Sequence, residues 1–132
     1  MATAGNPQFG LGKSLAGFAP LGPILVTPDE YPDRDDIELS CLLNGEEVQR
    51  SSSGQMLLSI PEIISYLSGI VSLDPGDVIF TGTPAGIGMT RKPPRYLQPG
   101  DTLDTFVALA GSMSHTFTAA PVPQEAGREA IK

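Results

Sequence analysis

Apolar and polar positions alternate along "IELSCLL", residues 37–43, and this two-residue period predicts a half-buried β-strand. Asn44-Gly45 follows, the preferred pair for a two-residue type I′ turn, and "EEVQR" then leads away. The expected element is a hairpin over 37–50, with Ile37, Leu39, Cys41 and Leu43 on one face and Glu38 and Ser40 on the other. The period changes at "SIPEIISYLSGIVSL". Ile60, Ile63, Ile64, Leu67, Ile70 and Val71 fall at helical spacing and predict a helix over about 60–71. Ser59 is placed as its N-cap, Pro61 suits the first turn, and Glu62 completes a capping box.

Two phrases of the form Leu-x-Pro-Gly-Asp, at 73–77 and 97–101, each read as a type II turn delivering a strand. The strands expected from them are 77–80 and roughly 102–109. A last strand is expected in "MSHTFTA", residues 113–119, and Ile24-Leu25-Val26 reads as a short strand or strand end. The first 23 residues show little periodicity. "PDEYPDRDDIE", residues 28–38, is acidic and broken by prolines, as in a surface loop. The fold class is therefore α+β and β-rich, with one principal helix. Residues 1–120 are expected to form the domain and 121–132 a flexible tail.

With 132 residues the chain makes one domain or part of one, and its 15 glycines and 13 prolines fit many turns and few helices. A net charge of −7 argues against a nucleic-acid partner, which demands clustered Lys and Arg. A single cysteine excludes a disulfide framework and a cysteine-built zinc site. The first residues resemble no secretory signal, and no apolar run approaches the ~20 residues that span a bilayer, so a cytoplasmic protein is expected.

"GLGKS", residues 10–14, imitates a phosphate-binding loop, but the first glycine of that motif would fall at Pro7. Lys13 still sits amid glycines where its ammonium could approach a ligand, or it is a solvated surface lysine. In "GDVIFTGTPAGIG", residues 76–88, the glycines are wrongly spaced for a dinucleotide fingerprint and Pro84 interrupts them. The loop nonetheless offers the hydroxyls of Thr81 and Thr83 and several backbone N–H groups, a neutral set able to hold a carboxylate or oxyanion. Asp36 and Glu38 would share a strand face and could grip a cation, against the simpler reading of a solvated acidic loop. His115 lacks a nearby partner and reads as a strand residue. Arg91, Lys92 and Arg95 could meet an acidic substrate or stay solvated.

The ordered set "LGKSLAGFAPLGPILVTPDE", "LLNGEEVQ", "IPEIISYLS", "LDPGDVIFTGTPAGIG" and "LQPGDTL" closely resembles the fumarylacetoacetate hydrolase family from about residue 10 to residue 117. The resemblance implies a β-rich roll, commonly dimeric, acting on oxo-acids with Mg2+, Mn2+ or Ca2+ through a stabilised enolate. It matches Lys13 to the family's active-site lysine. It matches Thr81, with Gly82 and Thr83 beside it, to the loop that contacts the substrate's carboxylate end. In the family a Glu-x-Glu pair and an Asp bind the metal, upstream of that lysine. Here the twelve residues before Lys13 contain no Asp, Glu or His, so no metal ligand is assigned and the N-terminal part of the domain is expected to be missing. The expected partners are a small oxo-acid and either a second copy or the missing half. The alternatives are a non-catalytic domain of this kind and one half of a split enzyme.

Overall fold

Asn44 and Gly45 turn the chain with φ of 52° and 82°, both positive as a type I′ turn requires. The computed structural model describes residues 9–119, so the tail expected at 121–132 lies outside the described residues. The turn joins strands β1, Glu38–Leu43, and β2, Glu46–Ser52, which pair antiparallel from Glu38 opposite Ser52 to Leu43 opposite Glu46. The register shifts once: Cys41 faces Gln49 but Leu42 faces Glu47, which leaves Val48 as an extra residue in β2. Such a bulge bends an edge strand and re-aims the side chains beside it.

A second hairpin, β3 (Thr102–Val107) and β4 (Gly111–Thr116), completes a four-stranded antiparallel sheet of order β2-β1-β3-β4. Strand β1 pairs with β2 on one side and β3 on the other. At its middle Ser40 is buried beside Cys41, although the alternation assigns Ser40 to the polar face. Burial pushes the Cys41 thiol up from its ordinary pKa, and the Asp104 carboxylate adds to the effect. His115 lies in β4 opposite Leu103, as a strand residue.

Helix α1 spans Phe9–Gly12 and helix α2 spans Ile60–Ser68. Both halves of the expected capping box form. Ser59 Oγ accepts from the Glu62 N–H, and the Glu62 carboxylate accepts from the Ser59 N–H at 2.8 Å and from its hydroxyl at 2.7 Å. The hydroxyl first, then the N–H, hold the Glu62 pKa down. The helix stops at Gly69 rather than at residue 71, because glycine there weakens the last turn.

Two strand expectations are corrected. Residues 24–26 and 77–80 belong to no strand, since their backbone groups find no ladder partner among the described residues. An extended apolar run becomes a strand only where another strand receives it, and neither run pairs with the outer edge of β2 or of β4. The same shortage of partners shows in burial. Cys41, at 8% exposure, is the one buried apolar residue among those described, while Leu57 and Leu25 stand 99% and 90% exposed. Ile70 and Val71 of the expected helical stripe are exposed as well.

Candidate functional site

The two Leu-x-Pro-Gly-Asp phrases close as expected. The Asp77 N–H donates to the Asp74 carbonyl at 3.1 Å, and the Asp101 N–H to the Gln98 carbonyl at 3.0 Å. Each aspartate also reaches back over its own turn: the Asp77 carboxylate accepts from the Asp74 N–H at 2.8 Å and the Asp101 carboxylate from the Gln98 N–H at 2.7 Å. They differ in what surrounds them. Asp101 is buried and accepts from Arg95 Nη2 at both of its oxygens, at 2.7 and 2.8 Å, and from the Asn44 side-chain amide at 2.9 Å. Hydrogen bonds from Arg95 first, then from Asn44 and Gln98, hold the Asp101 carboxyl down to about 2.

The first of these turns feeds loop 81–88. Thr81, Gly82, Thr83 and Pro84 line a cavity of about 440 Å3. Ser51, Ser52 and Gln55 supply polar neighbours, and Met56, Leu58 and Ile63 an apolar wall. The loop lies against the outer edge of β2. At Gly86 a Cβ would stand 1.9 Å from the Val48 carbonyl oxygen, at the bulge, so only glycine permits that approach. At Gly88 a Cβ would stand 1.7 Å from the Arg95 oxygen, where the Arg95 N–H donates back to the Gly88 carbonyl at 2.9 Å. Gln49 closes the arrangement by donating from Nε2 to Thr83 Oγ1 at 2.9 Å, to the Pro84 carbonyl at 2.8 Å and to the Ala85 carbonyl at 3.4 Å.

Thr81, Gly82 and Thr83 are thus brought together at one cavity. Lys13, just after α1, is exposed and is not among the residues lining that cavity; its N–H donates to the Gly10 carbonyl at 3.3 Å. Asp36 and Glu38 serve the hairpin ends: Asp36 accepts from the Ser52 hydroxyl and Glu38 pairs with Arg50. Arg50 also meets Glu47 at 2.6 Å, which lowers the Glu47 pKa and raises its own. Among the described residues, no three or more His, Cys, Asp or Glu side chains come together as a metal site. Arg95 is engaged by Asp101, and Arg91 lies 3.9 Å from Glu46 and donates to the Gly86 carbonyl at 3.4 Å.

Sequence reasoning passed over Gln49, whose position in an alternating strand looks like any other polar one. It also read Asn44 only as a turn former, although Asn44 spans the hairpin to reach Asp101 and the Thr102 N–H. The closely spaced Gly86 and Gly88 were the available signal for the loop's close docking.

The described residues thus form a β-rich domain whose sheet edge holds a loop rich in hydroxyls and backbone N–H groups. The family described as fumarylacetoacetate (FAA) hydrolase C-terminal matches residues 1–118, and the chain belongs to that family. The mitochondrial oxaloacetate tautomerase Fahd2a of Rattus norvegicus is 48% identical over 94 residues, which are 71% of this chain and 30% of that protein. The solved fumarylacetoacetate hydrolase of Exiguobacterium antarcticum is 42% identical with a TM-score of 0.77, over 83% of this chain and 39% of that one. Maleylpyruvate hydrolase from Sphingobium sp. SYK-6, solved with manganese(II) and pyruvate, is 29% identical with a TM-score of 0.70, over 79% of this chain and 37% of that one. The chain therefore spans between 30% and 39% of the length of these relatives. No helix among the described residues is long and apolar enough to cross a membrane.

Proposed function

We propose that this chain supplies the carboxylate-binding wall of an enzyme acting on small oxo-acids, of the hydrolase, lyase or isomerase type. The observation that carries the reading is that Thr81, Gly82, Thr83 and Pro84 line one cavity, which sets two residues with hydroxyls and three with backbone N–H groups along its wall. Such donors suit a carboxylate because they offer directed hydrogen bonds without a competing negative charge. Breaking a carbon–carbon bond beside a carbonyl, or shifting a proton there, leaves enolate charge on the oxo-acid oxygen. In this reading Thr81, Gly82 and Thr83 fix the carboxylate end. Lys13 is the cation that offsets the developing charge, with a role taken from the family likeness.

A divalent metal is supported by the manganese complex of maleylpyruvate hydrolase. The described residues do not fit such an ion, because no three suitable side chains meet among them, and no ligand or step is assigned to it in this chain. The exposed apolar surfaces support a partner, either a second copy or further polypeptide of the family fold.

The test is a chimera of the Exiguobacterium fumarylacetoacetate hydrolase in which residues 9–117 of this chain replace the matching segment. Hydrolysis of fumarylacetoacetate is expected to survive, and Thr81→Val or Lys13→Met to lower kcat/KM about tenfold to a hundredfold. A folded chimera whose rate ignores both substitutions would overturn the reading.

A further inference from the structure

We propose that Gln49 is the positioning residue of loop 81–88, committing the Thr83 hydroxyl to donate into the cavity. The orientation of its amide is fixed by its partners. Carbonyl oxygens only accept, so the group that meets Pro84 and Ala85 must be the NH2 and not the oxygen. Its two hydrogens serve Pro84 O at 2.8 Å and Thr83 Oγ1 at 2.9 Å, with Ala85 O sharing at 3.4 Å.

Two consequences follow for a bound anion. First, Thr83 Oγ1 already accepts from Gln49, so its own hydrogen is available as a donor to a ligand at the cavity that Thr83 lines. Second, an anion site must keep carbonyl dipoles away from the anion, and Gln49 engages those of Pro84 and Ala85 on the β2 side. The device depends on the bulge. Val48 stands without a partner opposite β1, its carbonyl borders Gly86, and Gln49 is aimed at the loop rather than lying as an ordinary edge residue. Gln49 touches the loop and not the ligand, so it acts through Thr83.

This inference deepens the oxo-acid reading and rests on it for the ligand, whereas the clamp itself is testable without any ligand. The experiment uses the full chain, 15N-labelled, with Gln49→Met, Gln49→Ala, Gln49→Lys, Thr83→Val and the double variant Gln49→Met/Thr83→Val. Methionine keeps the length and neutrality of glutamine without its donors. In the absence of ligand, loop amides 81–88 are expected to exchange about threefold to tenfold faster in Gln49→Met and Gln49→Ala, with β1 amides unchanged. Gln49→Lys, which restores N–H donors, is expected to recover most of the protection. Loop exchange equal to wild type in both donor-free variants, or loss of β1 protection in both, would overturn the clamp.

With oxalate as the probe, amide shifts are expected to show about tenfold weaker binding in Gln49→Met, and less than about twofold further loss when it is added to Thr83→Val. Full additivity of the two substitutions would overturn action through Thr83. If wild type showed no oxalate-dependent shift, action on a bound oxo-acid would fall, and the exchange measurements would still decide the clamp.

Discussion

Arg95 Nη2 donates to both carboxylate oxygens of Asp101, at 2.7 and 2.8 Å, tying the segment that follows the cavity loop to the turn that starts β3. Asn44 binds the same carboxylate from the tip of the first hairpin. One buried carboxylate thus joins its own turn and the nearby Arg95 to a hairpin tip 57 positions away.

The pH dependence of stability follows from that carboxylate. Its folded pKa is about 2, below the ordinary unfolded value of about 3.9, so folding favours the ionised form. The contribution is complete above about pH 4 and is lost as pH falls toward 2. Denaturant melts from pH 5 to 2 are expected to show stability falling in this window, and Asp101→Asn to lower stability at pH 5 while flattening the acid limb. An Asp101→Asn curve parallel to wild type would contradict this.

Asn44→Ala should cost more than the loss of a turn former. It places alanine at φ 52° and removes the amide that binds Asp101 and the Thr102 N–H. The expected destabilisation is about 2–4 kcal/mol by urea titration. Asn44→Gly, which removes only the amide, should cost less, and equal losses in the two variants would locate the whole effect in the hydrogen bonds.

Gly86→Ala forces a methyl group onto the Val48 carbonyl and must lift the loop from β2. A destabilisation of about 1–3 kcal/mol is expected, along with faster amide exchange across 81–88 and no change at β4. Gly10→Ala, where a Cβ meets nothing within 4 Å, is the matched control.

The exposed apolar residues carry a prediction about association. With Cys41 as the one buried apolar side chain among those described, the chain is expected to bind a hydrophobic dye while folded and to melt at a temperature that rises with concentration. Sedimentation showing a monomer with a concentration-independent melt would count against it.

Local order was legible in the residues themselves. Asn44-Gly45, the Ser59 and Glu62 capping box and the two Pro-Gly turns are set by short-range sterics and hydrogen bonds, and each forms where its residues stand. The grouping of Thr81, Gly82 and Thr83 was legible for the same reason, since neighbours in a loop share its cavity. What the sequence could not decide is which apolar runs become strands. Residues 24–26 and 77–80 have strand chemistry, yet among the described residues neither pairs with the outer edge of β2 or of β4. Nor could it show that the bulge at Val48 aims Gln49 at residues 34 to 36 positions away, or that Asn44 and Asp101 meet across 57. Those contacts depend on pairing register, and register is set by the whole sheet rather than by any stretch within it.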